Sequence, residues 1–144
     1  MLVLVFYIDS KAYCTKADAI ECIIPNISLQ LLDATGILRM VYKAQPVDIV
    51  DLSYTYIQRP SARALSTRIS IVKGFEGSQR PYWGFRAEHM RRLYTVEGDT
   101  LSGRIYLDDL ACEYLPLATI YKALNTPRSP DLILQEAPSA LCLT

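Results

Sequence analysis

A chain of 144 residues can bury one sizeable core but leaves no room for a second full-sized domain. Its 15 Lys and Arg balance 15 Asp and Glu, so no global charge argues for a nucleic-acid or anionic-membrane partner. With 51% hydrophobic residues the composition fits a packed globular domain and argues against disorder.

The apolar start, Met1 to Ile8, has no basic flank and no small-residue cleavage site, and Asp9-Ser10-Lys11 follows at once. A membrane span needs about 20 apolar residues, so this run predicts a buried strand, no membrane insertion and a cytoplasmic location. Ala12 to Thr15 is expected to return against it. Lys16 to Ile24 suggests a short helical turn running into an apolar stretch that Pro25 stops. Gly36 to Tyr42 and Pro46 to Leu52 read as a strand pair, with Lys43-Ala44-Gln45 at the bend. Leu65 to Lys73 alternates, with Leu65, Thr67, Ile69 and Ile71 on one face. Tyr82 to His89 alternates too, Trp83, Phe85 and Ala87 opposing Tyr82, Arg86 and Glu88. Period two marks half-buried strands. Residues 74–81, with two glycines and a proline, predict the hairpin loop between them. Leu101 to Leu107 and Ala111 to Leu115 predict a last hairpin across Asp108-Asp109. Leu117, Ile120, Tyr121 and Leu124 fall on one helical stripe behind Pro116, ended by Asn125 and Pro127. The division is therefore a domain over 1–124 and a proline-containing tail over 125–144, loosely held or used for docking. Many short strands separated by turns predict an all-β class with short helices, in a small barrel or sandwich.

The chemistry of an enzyme is hard to find. The sole histidine, His89, lies at a strand end. No G-x-S-x-G, P-loop or G-x-G-x-x-G occurs, so no catalytic residue is assigned. Asp108-Asp109 suits a turn better than a carboxylate pair, since adjacent strand residues point to opposite faces. Cys14, Cys22, Cys112 and Cys142 show no C-x-x-C pairing and read as small hydrophobes. No metal and no cofactor is expected. Arg86, Arg91 and Arg92 with Tyr94 form a basic-aromatic cluster that could touch a phosphate backbone, although a solvated strand edge explains it equally well.

Three stretches together resemble CheW-like domains, the adaptors of bacterial chemosensory arrays. The first comprises Leu2-Val-Leu-Val-Phe-Tyr-Ile8 with its polar turn and Tyr13, and then Ile23-Ile-Pro-Asn-Ile-Ser-Leu29. The second is Tyr42-Lys-Ala-Gln-Pro-Val-Asp-Ile-Val-Asp-Leu52, followed by Arg59-Pro60 and Leu65-Ser-Thr-Arg-Ile69. The third is Trp83-Gly-Phe-Arg-Ala-Glu88 with Leu101-Ser-Gly103. The resemblance covers residues 1 to 124. It implies two packed, small, five-stranded SH3-like β-barrels and a non-enzymatic adaptor. Its partners would be the regulatory domain of a CheA-type histidine kinase and the cytoplasmic tip of a methyl-accepting chemoreceptor. Carried over residue by residue, it points to Tyr42, Lys43, Ala44 and Gln45 at a receptor-facing bend, and to Ile23, Ile24 and Pro25, which as apolar residues also suit plain core.

The departures from the family pattern are specific. Lys43-Ala44 replaces an Arg-Gly bend. Lysine keeps the charge without arginine's planar fork, and alanine lacks glycine's access to positive φ, so a reshaped bend is expected. Asp48 stands at a proline position. Glu21 lies one residue further from Pro25 than Glu-x-x-Pro would place it. The short connection from Glu88 to Leu101 implies a trimmed loop or a lost strand. The alternative reading is a β-barrel binding module for single-stranded nucleic acid or a small ligand.

Overall fold

The computed structural model describes residues 1–26, 30–31, 36–74, 80–90, 93–97 and 102–125. Along the chain run β1 (Leu2–Ile8), β2 (Lys11–Lys16), β3 (Ile20–Pro25), β4 (Gln30–Leu31), β5 (Ile37–Tyr42) and β6 (Gln45–Asp51). Then come α1 (Leu52–Ile57), β7 (Arg68–Lys73), β8 (Tyr82–Ala87), β9 (Leu93–Thr95), β10 (Arg104–Leu107), β11 (Leu110–Tyr114) and α2 (Leu117–Asn125). A five-stranded sheet has the order β10-β11-β2-β1-β9, and a six-stranded sheet the order β3-β7-β8-β6-β5-β4. The class is all-β with two short helices. The second sheet has one strand more than the five expected, because the two-residue β4 adds to its edge.

The β1 run is apolar on both faces because both faces are buried. Val3 and Val5 point into the core of the first sheet with Ala12, Cys14, Leu107 and Cys112. Leu4, Phe6 and Ile8 point the other way, into a core shared by the two sheets. The same division runs through the second sheet. Val47, Ile49, Ile69 and Ile71 fill its own core with Leu38, while Val50, Val72, Trp83 and Phe85 join the shared one. Each sheet thus wraps a small private core, and a third core cements the pair. Tyr7 N donates to Glu88 O at 2.8 Å, a single bridge tying the end of β1 to the end of β8. α2 closes the shared core with fully buried Ile120 and with Tyr121, whose ring meets Trp83 edge-on at 5.1 Å. Burial of Trp83 and Phe6, each fully enclosed, contributes on the order of 3–5 kcal/mol per side chain against truncation to alanine.

Four expectations need correction. Residues 16–24 form no helical turn: a turn at 18–19 leads directly into β3, whose β-branched residues suit a pleated surface. Pro25 is tolerated as the last residue of this edge strand, where a missing N–H disturbs no interior ladder. Leu65 is outside β7 and 97% exposed, because a turn bonded from Thr67 N to Ala64 O precedes the strand. Ser70 and Val72 are as buried as Ile69 and Ile71, so β7 is enclosed on both faces rather than one. Leu52 opens α1 instead of closing β6: the Asp51 side chain accepts from Tyr54 N, which caps a helix there.

The link after Glu88 has not lost its strand, since β9 pairs with β1 and completes the first sheet. Residues 27–29, 75–79, Arg91, Arg92, Leu101 and the tail over 126–144, with Leu132 to Leu134 and Cys142, lie outside the described residues. Among the described residues no helix is long and apolar enough to cross a membrane, and no group of three His, Cys, Asp or Glu could hold a metal ion.

Candidate functional site

The β5–β6 hairpin turns over two residues, Lys43 and Ala44, with Tyr42 paired to Gln45. Both central residues are left-handed, at φ 50° and 61°. Two-residue hairpins favour this geometry because its twist matches that of the strands, and Asn-Gly usually supplies it. The bend expected over three residues is therefore a tight one, reached with an alanine at positive φ. An L-residue pays about 1–2 kcal/mol for that conformation.

Around the turn lies a compact cluster assembled from three parts of the chain. The Tyr42 ring packs against the core of the second sheet, and its hydroxyl donates to Glu21 Oε2 while accepting from Cys22 Sγ at 3.4 Å. Lys43 Nζ donates to Glu21 Oε1 at 3.4 Å and lies 5.6 Å from the Tyr42 ring centre and 5.8 Å from that of Tyr82. The two tyrosine rings meet edge to face at 5.2 Å. Lys43 is thus a cation held over aromatic faces, an arrangement that restrains a side chain otherwise free to sample many rotamers. The hydrogen bond from Tyr42, and then Lys43 and Lys73, lower the pKa of Glu21 against the opposing effect of its partial desolvation. The Tyr42 phenol is raised by its bonds to Cys22 and Glu21, and the Lys43 ammonium by its bond to Glu21. At neutral pH Glu21 is therefore an anion and Lys43 a cation.

Glu21 reaches this position through a β-bulge. The pairing of β3 with β7 slips between Ile20 and Cys22, leaving Glu21 as the extra residue. A bulge re-aims the side chain it carries. Asp48 is accommodated too: it accepts from Arg39 Nε at 2.9 Å across the hairpin and from Arg80 Nη1 at 3.1 Å.

The seven candidate residues do not form one group. Tyr42, Lys43, Ala44 and Gln45 share the bend, the last three exposed. Ile23 and Ile24 are half-buried on opposite faces of β3, the first against the shared core and the second against the core of its own sheet. Pro25 is exposed opposite Arg68, at the other end of the sheet from the bend. Glu21, Cys22 and Tyr82, which complete the cluster, were not candidates; the spacing of Glu21 from Pro25 was their one signal.

Arg86 is not available to a phosphate backbone. Its Nε donates to Asp51 Oδ2 at 2.9 Å and Nη2 to the same oxygen, and the two side chains are 13% and 2% exposed. Asp51 also accepts from Ser61 N and Ser61 Oγ, so one buried carboxylate caps α1, holds Arg86 and anchors the following loop. His89 is exposed, at φ 47°, with Nδ1 3.2 Å from Ser66 Oγ and its ring edge-on to Tyr7. Asp108 and Asp109 are exposed residues of the β10–β11 turn, Asp108 at φ 55°. Cys14, Cys22 and Cys112 are free thiols, and burial followed by contact with Cys112 pushes the Cys14 thiol up to about 12.

No family model matches the sequence, and no curated protein matches it. Among solved structures, the chain is similar to the scaffolding protein TtCheW from Thermoanaerobacter tengcongensis. The match has a TM-score of 0.63 and 11% identity over 78% of this chain and 82% of that one. The fold is CheW-like. At this identity the likeness concerns the fold alone, which in this chain is two packed SH3-like β units, each with its own core.

Proposed function

We propose that the chain is a non-enzymatic, cytoplasmic adaptor of the CheW type. It would join the cytoplasmic tip of a chemoreceptor to the regulatory domain of a CheA-type histidine kinase. The adaptor domain spans 1–124, with 125–144 as a tail, and Tyr42, Lys43, Ala44 and Gln45 face the receptor. The observation that carries the reading is the shared fold with a scaffolding protein over most of both chains. The bend supports it: a projecting turn carries a lysine pre-positioned by Glu21, Tyr42 and Tyr82, and preorganisation lowers the entropic cost of docking. An adaptor of this kind acts by differential affinity, since a bound receptor biases a kinase only as far as the ternary contacts differ between kinase states.

The test is binding of the purified protein to a receptor-tip fragment and to a kinase regulatory domain from the same cell. Binding to both is expected, and Lys43→Glu should weaken the receptor complex while sparing the kinase complex. Absence of binding to either partner defeats the coupling role.

A further inference from the structure

A sheet edge is a row of backbone groups that invites another strand, and this fold guards its edges unequally. In the six-stranded sheet, the β3 edge carries the bulge at Glu21 and ends on Pro25, and the opposite edge is the two-residue β4. In the five-stranded sheet, the β9 edge has three residues. The other edge, β10, is a regular four-residue strand without proline, lysine or bulge. Among the described residues its only strand partner is β11.

The ladder shows what that edge presents. The β10–β11 turn is two residues long, so Leu107 and Leu110 exchange both of their backbone bonds. Alternation makes Ile105 and Cys112 the next such pair, and the bond from Tyr114 N to Gly103 O at 2.9 Å continues the series. The N–H and C=O groups of Arg104 and Tyr106 therefore point away from β11, to the open edge. Their side chains are exposed, Tyr106 at 68%, while Ile105 and Leu107 pack into the private core of the sheet. Asp108, also exposed, follows at the turn. Arg104 lies opposite Glu113, which bonds Lys11 at 3.1 Å. Among the described residues neither Arg104 nor Asp108 has an ion-pair partner.

We propose that β10 pairs antiparallel with β10 of a second copy of this chain, about a two-fold axis at Tyr106. The strand's own sequence selects that occupant and that register. Centred on Tyr106, the pairing sets Arg104 of each copy opposite Asp108 of the other and Ile105 opposite Leu107, with the two Tyr106 rings side by side. Tyr106 then exchanges both backbone bonds with its counterpart, as the outward direction of those groups requires. Neighbouring registers lose this match. An axis at Arg104 would face two guanidiniums, and an axis at Ile105 would leave both ions opposite uncharged residues. A self-complementary patch is what a two-fold contact needs, and here it joins two five-stranded sheets into one continuous sheet. The contact is small, so the association is weak. The inference is independent of the adaptor reading, whose bend lies in the other sheet.

Sedimentation equilibrium of the full chain, up to about 1 mM, tests it with the wild type, Arg104→Glu, Asp108→Lys and an equimolar mixture of the two variants. The wild type should self-associate, less so at high salt. Each variant alone sets like charges together at both ends of the paired strands and should weaken dimerisation roughly tenfold or more. In the mixed dimer the two introduced charges face each other, and the native Arg104 and Asp108 do the same. The mixture should therefore regain wild-type affinity, which variants that had merely failed to fold could not do. A monomeric wild type overturns the inference, as does a dimer that neither variant weakens, which would use another surface. Weakened variants whose mixture does not recover overturn the register, and the pairing with it.

Discussion

Replacing Ala44 with glycine isolates the strain stored in the β5–β6 turn. Ala44 sits at φ 61° with an exposed side chain, so glycine relieves the clash of Cβ with the following carbonyl and gives up no packing. Relief is worth about 1–2 kcal/mol. Glycine's additional freedom in the unfolded chain returns about 0.4–1 kcal/mol of it. The expected net gain is about 0.5–1 kcal/mol, read as a rise of about 2–4 °C in Tm for a chain of this size. Urea unfolding should show a higher midpoint with an unchanged m-value, since the surface exposed on unfolding stays the same. Ala44→Val should move the midpoint down, because a β-branched residue tolerates the left-handed region still less. A midpoint that Ala44→Gly leaves in place or lowers refutes the tight-turn geometry on which the position of Lys43 depends.

Other perturbations bear on the core and the ion pairs. Arg86→Met leaves the buried Asp51 carboxylate without its cation and should cost about 3–5 kcal/mol, much of it recovered in Asp51→Asn/Arg86→Met, by urea unfolding. In Gly84→Ala the new Cβ would stand 2.7 Å from Ser70 O, with Ile49 and Ile71 also close, so β7 and β8 must part. A loss of about 1–3 kcal/mol follows, and a neutral result would contradict the register of that pair. For Glu21, a folded-state pKa below the unfolded value means a stability contribution that is complete above the ordinary carboxylate range. That contribution disappears as pH falls through the lower folded value. Wild type and Glu21→Gln should therefore differ in denaturant midpoint at pH 7 and converge toward pH 3; a constant difference contradicts the assignment.

Much of this fold was legible because burial and period agree in its strands. The continuous apolar run of β1 and the alternation of Trp83, Phe85 and Ala87 were readable as strands, and α2 as a helical stripe. α1 was not, since Tyr54-Thr55-Tyr56-Ile57 has β-favouring composition, and the helix depends on the Asp51 cap, the Gln58 N–H bonded to Tyr54 O and the burial of Leu52 and Tyr54. Leu65 continued an alternation in sequence that the chain breaks with a turn. For the candidate site, the bend itself could be read from its position between two strands. Its supports could not: Glu21 and Tyr82 come from strands far away in sequence, and the bulge that aims Glu21 is a property of β3–β7 pairing. Arg86 likewise looked like an exposed base until the pairing of β6 with β8 set it beside Asp51.

The most direct test of the adaptor account is a single titration: the receptor-tip fragment added to the protein alone and to the protein saturated with the kinase regulatory domain. The account predicts binding in both cases, with a ternary complex visible by light scattering and an affinity change equal to the coupling between partners. Mutually exclusive binding, or no binding of the receptor fragment in either case, would contradict it.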